Sequence, residues 1–112
     1  RETVTAIDPA NRRATTDAGV HEADVMVVAL GADLDLSATP GLATGGHEFY
    51  SLPGAIELGR VLPDLSSGTA LIAVLGAPYK CPPAPFEAAL QLHDYLVARG
   101  AREAVTIRVA TP

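Results

Sequence analysis

The sequence predicts an α/β fold in which a β-hairpin region is followed by a βαβ unit, and three observations carry that expectation. Residues 25–30 are an unbroken apolar run and so, after the opening Thr69, are residues 69–75, the pattern of strands covered on both faces. Val105, Ile107 and Val109 alternate with Thr106 and Arg108, the period of a strand with one wetter face. Between the last two runs, Ala89, Leu92 and Leu96 recur at helical spacing and Gly100 closes the segment. Strand, helix, strand over this length makes one βαβ unit, for which a right-handed crossover is the expectation.

The remaining elements follow in chain order. Residues 3–8 alternate apolar and polar, Pro9-Ala10-Asn11-Arg12 reads as a turn, residues 13–16 return, and Asp17-Ala18-Gly19 turns again. The apolar run 25–30 then forms a central strand that ends at Gly31. Residues 32–46 hold Asp, Ser, Thr, Pro and Gly with single leucines, a loop long enough to link domains or cover a site. Ser51-Leu52-Pro53 opens a helix with a capping hydroxyl and an early proline; Ile56, Leu58, Val61 and Leu62 supply its apolar side as far as Pro63. The chain starts without methionine inside a β-like run and stops just after another, which predicts an internal piece of a larger protein.

Composition excludes several classes. With 112 residues and 48% apolar side chains, a packed core is within reach without disulfide or metal staples. The net charge of −5 comes from acids scattered among bases, and no basic face exists to neutralise a nucleic-acid backbone. No apolar run reaches bilayer length and no secretory leader pattern opens the chain, so the expected location is cytoplasmic, with peripheral membrane contact open to the full-length protein. The single cysteine, Cys81, excludes an internal disulfide and fits a reducing compartment. His21, His47 and His93 lack a second ligand at metal-binding spacing, so no metal is expected; Asp33 and Asp35 read as a solvated linker.

In open α/β sheets ligands gather beyond the carboxyl ends of the strands, which makes residues 76–85 the first candidate site. A dinucleotide fingerprint beginning at Gly76 needs further glycines where Pro78 and Cys81 stand. Pro82, Pro83 and Pro85 carry no backbone N–H, and Glu87 adds negative charge at the helix start. After the third strand, Ala110 and Thr111 occupy the place where an acidic ribose ligand often lies. Direct nicotinamide binding is therefore disfavoured. What remains is Cys81, just before a helix with Lys80 beside it: a setting for a reactive thiol, which Glu87 opposes if it faces the sulfur. The alternative is a small buried filler, for which three adjoining prolines and a lysine make poor surroundings.

The segment Tyr79-Lys80-Cys81-Pro82-Pro83-Ala84-Pro85-Phe86-Glu87 resembles the redox-cysteine segment of the sulfide:quinone oxidoreductase and flavocytochrome c sulfide dehydrogenase flavoproteins, a branch of the pyridine nucleotide-disulfide oxidoreductase family. Residues 24–31, followed by Ala32, resemble the strand and small-residue turn that returns past the flavin in that family. The resemblance implies a fragment of an FAD-dependent flavoprotein with two Rossmann-like dinucleotide-binding domains. Residues 1–46 would be the end of the FAD-binding domain and its linker, and residues 47–112 the first part of the second domain. It further implies that Cys81 is catalytic in sulfide oxidation, bridging through sulfur to a second cysteine absent from this chain. Gly31, Ala32, Gly76 and Pro78 would contact FAD. Partners implied are the remainder of the protein's own chain, sulfide or another small sulfur substrate, and a quinone or cytochrome acceptor, with no nucleic acid. The fragment alone is expected to be inactive. Two other readings stay open, a general NAD(P)H-dependent flavin oxidoreductase and a degenerate, non-catalytic α/β interaction module.

Overall fold

Side-chain hydrogen bonds to the backbone shape the N-terminal stretch in the computed structural model, which describes residues 1–112. β1 (Val4–Asp8) and β2 (Arg13–Thr16) pair antiparallel, as their alternation requires, with an irregularity between Val4 and Ala6. The Asp8 carboxylate closes the intervening turn by accepting from the Asn11 backbone N–H at 3.2 Å and its side-chain amide at 2.7 Å. Those bonds hold the Asp8 carboxyl below its ordinary range.

A third strand, β3 (Val20–Glu22), pairs antiparallel with β2, so the predicted hairpin is a three-stranded meander. Three residues with one apolar member give no periodic signal; pairing across the strands supplies the cause instead. Thr16 Oγ1 accepts from the N–H groups of Ala18 at 3.2 Å and Gly19 at 3.0 Å, turning the chain. Arg13 then meets the Glu22 carboxylate at 2.7 Å. Glu2 accepts from the Thr16 hydroxyl at 2.6 Å and faces His21 Nε2 at 2.8 Å. Bonding to Thr16 first, and to His21 second, lowers the Glu2 carboxyl.

Residues 25–30 do not form the predicted central strand: they belong to neither sheet, and Val25, Val27 and Leu30 are 77%, 84% and 78% exposed. A strand covered on both faces belongs inside a sheet, and neither the three-stranded nor the two-stranded sheet of this chain takes it in. The predicted open loop at 32–46 also carries more structure. It holds a 3-10 turn at Leu36–Ala38, capped by Asp35 through the Ser37 N–H at 3.0 Å, and a one-turn helix α1 (Leu42–Gly45) that Gly41 enters with φ +86°.

The chain divides into two units, Arg1–Asp33 and Leu34–Pro112. In the second unit, α2 (Leu52–Val61) begins at the Ser51 cap and tightens into a 3-10 turn, Leu62–Asp64, at Pro63. β4 (Gly68–Ala73) and β5 (Val105–Ala110) pair parallel from Gly68–Val105 to Ala73–Ala110, joined through α3 (Ala84–Ala98), which packs on both strands. This is the predicted βαβ unit. Its core is the wholly buried Leu96 and the 2% exposed Val105, with Pro85 buried at the other end of α3. The apolar run 69–75 is covered on one face only: Ala70 and Ile72 are half-buried while Leu71 is 63% exposed. A single helix shields a single face, so an apolar sequence on both faces is not matched by cover on both.

The C-terminal end of α3 shows why Gly100 stops it. Gly100, at φ +70°, donates to the Val97 carbonyl at 3.0 Å, and Ala101 donates to the Leu96 carbonyl at 2.9 Å, the paired bonds of a Schellman cap. Two arginines fasten this end. Arg99 donates to the Pro63 carbonyl at 2.6 Å and lies over the Tyr95 ring at 5.2 Å. Arg102 donates to His93 Nδ1 at 2.8 Å and to the Val105 carbonyl at 2.8 Å, so His93 is an exposed helix residue engaged in packing the cap. No helix is long and apolar enough to cross a membrane.

Burial sets the cost of truncating α3. Leu96→Ala is expected to remove about 2–5 kcal/mol of stability, whereas Val97→Ala, on the exposed side, shifts it by no more than about 0.5 kcal/mol. Urea unfolding of the two variants checks the contrast.

Candidate functional site

A parallel pair joined by a helix forces the loop after β4 to the carboxyl end of the sheet, where it leads into the start of α3. That loop carries Gly76, a cis Ala77–Pro78 bond and Cys81, so three of the predicted site residues share one connection. Gly31 and Ala32 lie in the first unit, where Gly31 adopts φ +74°. A Cβ added to Gly76 would meet nothing within 4 Å, so no close approach of protein atoms accounts for the glycine. No three His, Cys, Asp or Glu residues stand together in a metal-binding group.

Cys81 is exposed, which removes the buried-filler reading. Its backbone lies in the left-handed region at φ +53°, a conformation that costs a non-glycine residue on the order of 1 kcal/mol and persists only when surrounding bonds enforce it. Two such bonds flank it. The Tyr50 hydroxyl donates to the Lys80 carbonyl at 2.8 Å, and the Cys81 carbonyl accepts from the Ala84 N–H at 3.0 Å. Burial raises the Tyr50 hydroxyl above its ordinary range, and negative charge on Cys81 and Tyr79 adds to the effect. Tyr50 therefore keeps its proton and remains a donor.

The start of α3 has little to offer a phosphate. Ala84 spends its N–H on Cys81, Pro85 has none, and the N–H groups of Phe86 and Glu87 both bond the Pro83 carbonyl at 3.0 Å. An ordinary helix start leaves several donors facing outward for an anion. Here those donors are spent or missing, and Glu87 places an acid in the first turn. The residues present do not fit a dinucleotide's pyrophosphate at this position. An exposed thiol whose backbone is fixed can instead exchange with or add to sulfur.

Sequence patterns did not single out Tyr50 or Glu48, which secure the segment bonded to the loop. The Glu48 carboxylate accepts from the N–H groups of Tyr50 at 2.7 Å and Ser51 at 2.9 Å, and from the Ser51 hydroxyl. Ser51 in turn accepts from the Gly54 N–H at 3.1 Å, completing the cap of α2. The Phe49 and Tyr50 rings stack with centroids 5.1 Å apart. A glutamate three residues before a capping serine was the available signal, but it reverses the usual order of a capping box.

No family model matches the chain. Over 80 residues, 66% of the chain, the sequence is 38% identical to NADH dehydrogenase-like proteins from two strains of Mycobacterium tuberculosis. The match takes in 20% of each relative, so the chain spans about a fifth of their length.

Two tests probe the support beneath the loop. A Cβ at position 54 would lie 2.5 Å from the Glu48 carbonyl oxygen and overlap its carboxylate. Gly54→Ala is thus expected to destabilise by about 1–3 kcal/mol, although alanine is the better helix former. A stability gain in urea unfolding would show that Glu48 yields. The second test is acid titration. Bonding from the Ser51 hydroxyl, then from backbone N–H groups, lowers the Glu48 carboxyl from its ordinary 4.5. A carboxyl more acidic folded than unfolded stabilises fully above its unfolded value, and that share is lost as pH falls through the lower folded one. Between about pH 5 and pH 3, Glu48→Gln should therefore flatten part of the decline in the urea midpoint.

Proposed function

We propose that the chain is part of an oxidoreductase whose redox-active group is Cys81, acting on sulfide or another small sulfur donor. The observation that carries this reading is the exposed thiol, held by fixed backbone at the carboxyl end of a parallel strand pair. The oxidoreductase class is also supported by the names of the relatives; sulfur as substrate rests on the Cys81 segment and its resemblance. Joining the thiol to hydrogen sulfide as a persulfide breaks two S–H bonds, forms one S–S bond, and releases two protons and two electrons. The electrons need an acceptor, for which a quinone or cytochrome outside these residues is the proposed terminus.

FAD is the proposed cofactor of the full-length protein and, when bound, supplies a two-electron acceptor. Its phosphates would be gripped by backbone other than the start of α3. Gly31, Ala32, Gly76 and Pro78 are proposed to lie against it without providing that grip. Division of the protein into an FAD-binding part through residue 46 and a second Rossmann-like part from residue 47 belongs to the same proposal.

A second reading takes NADH as the electron donor, and the relatives' name favours it. Against it stands the absence of outward N–H donors where a nicotinamide dinucleotide would rest its pyrophosphate.

The deciding measurement compares donors on the full-length protein. Sulfide is expected to bleach its flavin band faster than NADH does, and Cys81→Ser is expected to slow the sulfide reaction at least about 100-fold with flavin content unchanged. Faster bleaching by NADH would favour the second reading, and a Cys81→Ser protein as fast as the original would remove the thiol from the reaction.

A further inference from the structure

We infer that Tyr50 is a positioning residue for Cys81: by holding the Lys80 carbonyl, its hydroxyl fixes the direction in which the thiol leaves the backbone. The inference rests on the reading of Cys81 as the redox-active group and adds to it the side chain that aims the sulfur.

A side chain's direction is set by the two peptide planes on either side of its Cα, and each plane carries one carbonyl oxygen. For Cys81 both oxygens are held. The Tyr50 hydroxyl donates to the Lys80 oxygen at 2.8 Å before it, and the Ala84 N–H donates to the Cys81 oxygen at 3.0 Å after it. With both planes pinned, Cys81 stays at φ +53°. The left-handed region is unfavourable for a residue with a Cβ, and a residue before proline, here Pro82, ordinarily lies extended. Return to an extended φ of about −75° turns the Cβ by about 130° around the N–Cα bond and carries the sulfur to another side of the loop. The bond from Ala84 is local to the turn, whereas the bond from Tyr50 spans 30 residues and anchors the loop to a separate segment.

Tyr50 suits that task. Its N–H donates to the Glu48 carboxylate at 2.7 Å, and its half-buried ring stacks on Phe49 with centroids 5.1 Å apart. The phenol therefore has little freedom left to lose on bonding. Burial, with negative charge on Cys81 and Tyr79 adding to it, keeps the phenol protonated, so the bond survives when the thiol ionises. Pro82 and Pro83 carry no N–H and offer no donor to replace it. Aim matters because misplacing a reacting group by about 1 Å can cost on the order of 100-fold in rate.

Tyr50→Phe in the full-length protein is the test, since it keeps the ring and its stack and removes only the donor. At saturating sulfide, flavin bleaching is expected to slow at least about 10-fold, while the half-saturating sulfide concentration stays within about threefold. Iodoacetamide alkylation of Cys81, followed on its peptide, should also stay within about threefold, because exposure comes from the place of the loop. The Ala84 amide should exchange with deuterium at least about 10-fold faster, as the turn it closes onto Cys81 loosens. Unchanged bleaching at saturation, a loss carried mainly by the half-saturating concentration, or unchanged Ala84 exchange would each overturn the inference. So would alkylation that slows in step with bleaching, because the hydroxyl would then govern the reactivity of the thiol and not its aim. Cys81→Ser separates the two levels. If that variant bleaches as fast as the original, the thiol reading falls and the aim with it; a slow Cys81→Ser beside a fast Tyr50→Phe removes the aim alone.

Discussion

Parallel pairing of β4 with β5 is the constraint from which the candidate site follows. Two parallel neighbours cannot be joined by a tight turn, so the chain must leave the end of β4, cross over as α3 and re-enter at Val105. The crossover stays in place because Leu96 and Val105 are buried against one another's elements and because two arginines tie the end of α3 to Pro63 and to β5. The residues between β4 and α3 are left at the rim of the sheet as a consequence. Exposure of Cys81 is a result of that topology more than of its neighbours' polarity.

The two units hold together by different means. In Arg1–Asp33 no side chain is fully buried, and short polar side chains do most of the shaping: Asp8 closes one turn, Thr16 the next, and Glu2 gathers Thr16 and His21. Such bonds are individually worth about 1 kcal/mol and compete with water. In Leu34–Pro112 a small apolar core exists, and polar groups are used chiefly at element ends, as at the Ser51 cap and the Gly100 cap. Val27 and Leu71, each exposed in its own unit, lie in apolar runs whose sequences call for cover on both faces.

Chemistry at the loop turns on how backbone donors are spent. A helix start usually attracts anions because several N–H groups point outward. At the start of α3, prolines delete some of those groups and a local turn consumes the rest, while Tyr50 reaches across to fix the Lys80 carbonyl. What is left exposed is sulfur. The same arrangement that weakens the case for a phosphate ligand leaves the thiol open to disulfides and other electrophilic sulfur.

Local pattern was enough to read the elements whose cause is local. The alternation of residues 3–8, the Ser51 cap with Pro53, the helical spacing of Ala89, Leu92 and Leu96, the stop at Gly100 and the period of β5 each rest on interactions within a few residues, so the βαβ unit and the position of Cys81 in its connecting loop were legible from the sequence. Burial was not. The apolar runs 25–30 and 69–75 announce a need for cover on both faces, but whether neighbours exist to provide it depends on segments distant in sequence, and here one run has no sheet and the other has one helix. Tyr50 and Glu48 escaped for the same reason in Tyr50's case, since its bond to Lys80 spans 30 residues, and because Glu48 caps α2 from an unusual side. Sequence by itself determined which residues turn, cap and alternate, because those choices are decided by short-range sterics and hydrogen bonding. Only the tertiary structure decided which faces are covered and which backbone donors remain free, because both are set by what the fold brings alongside.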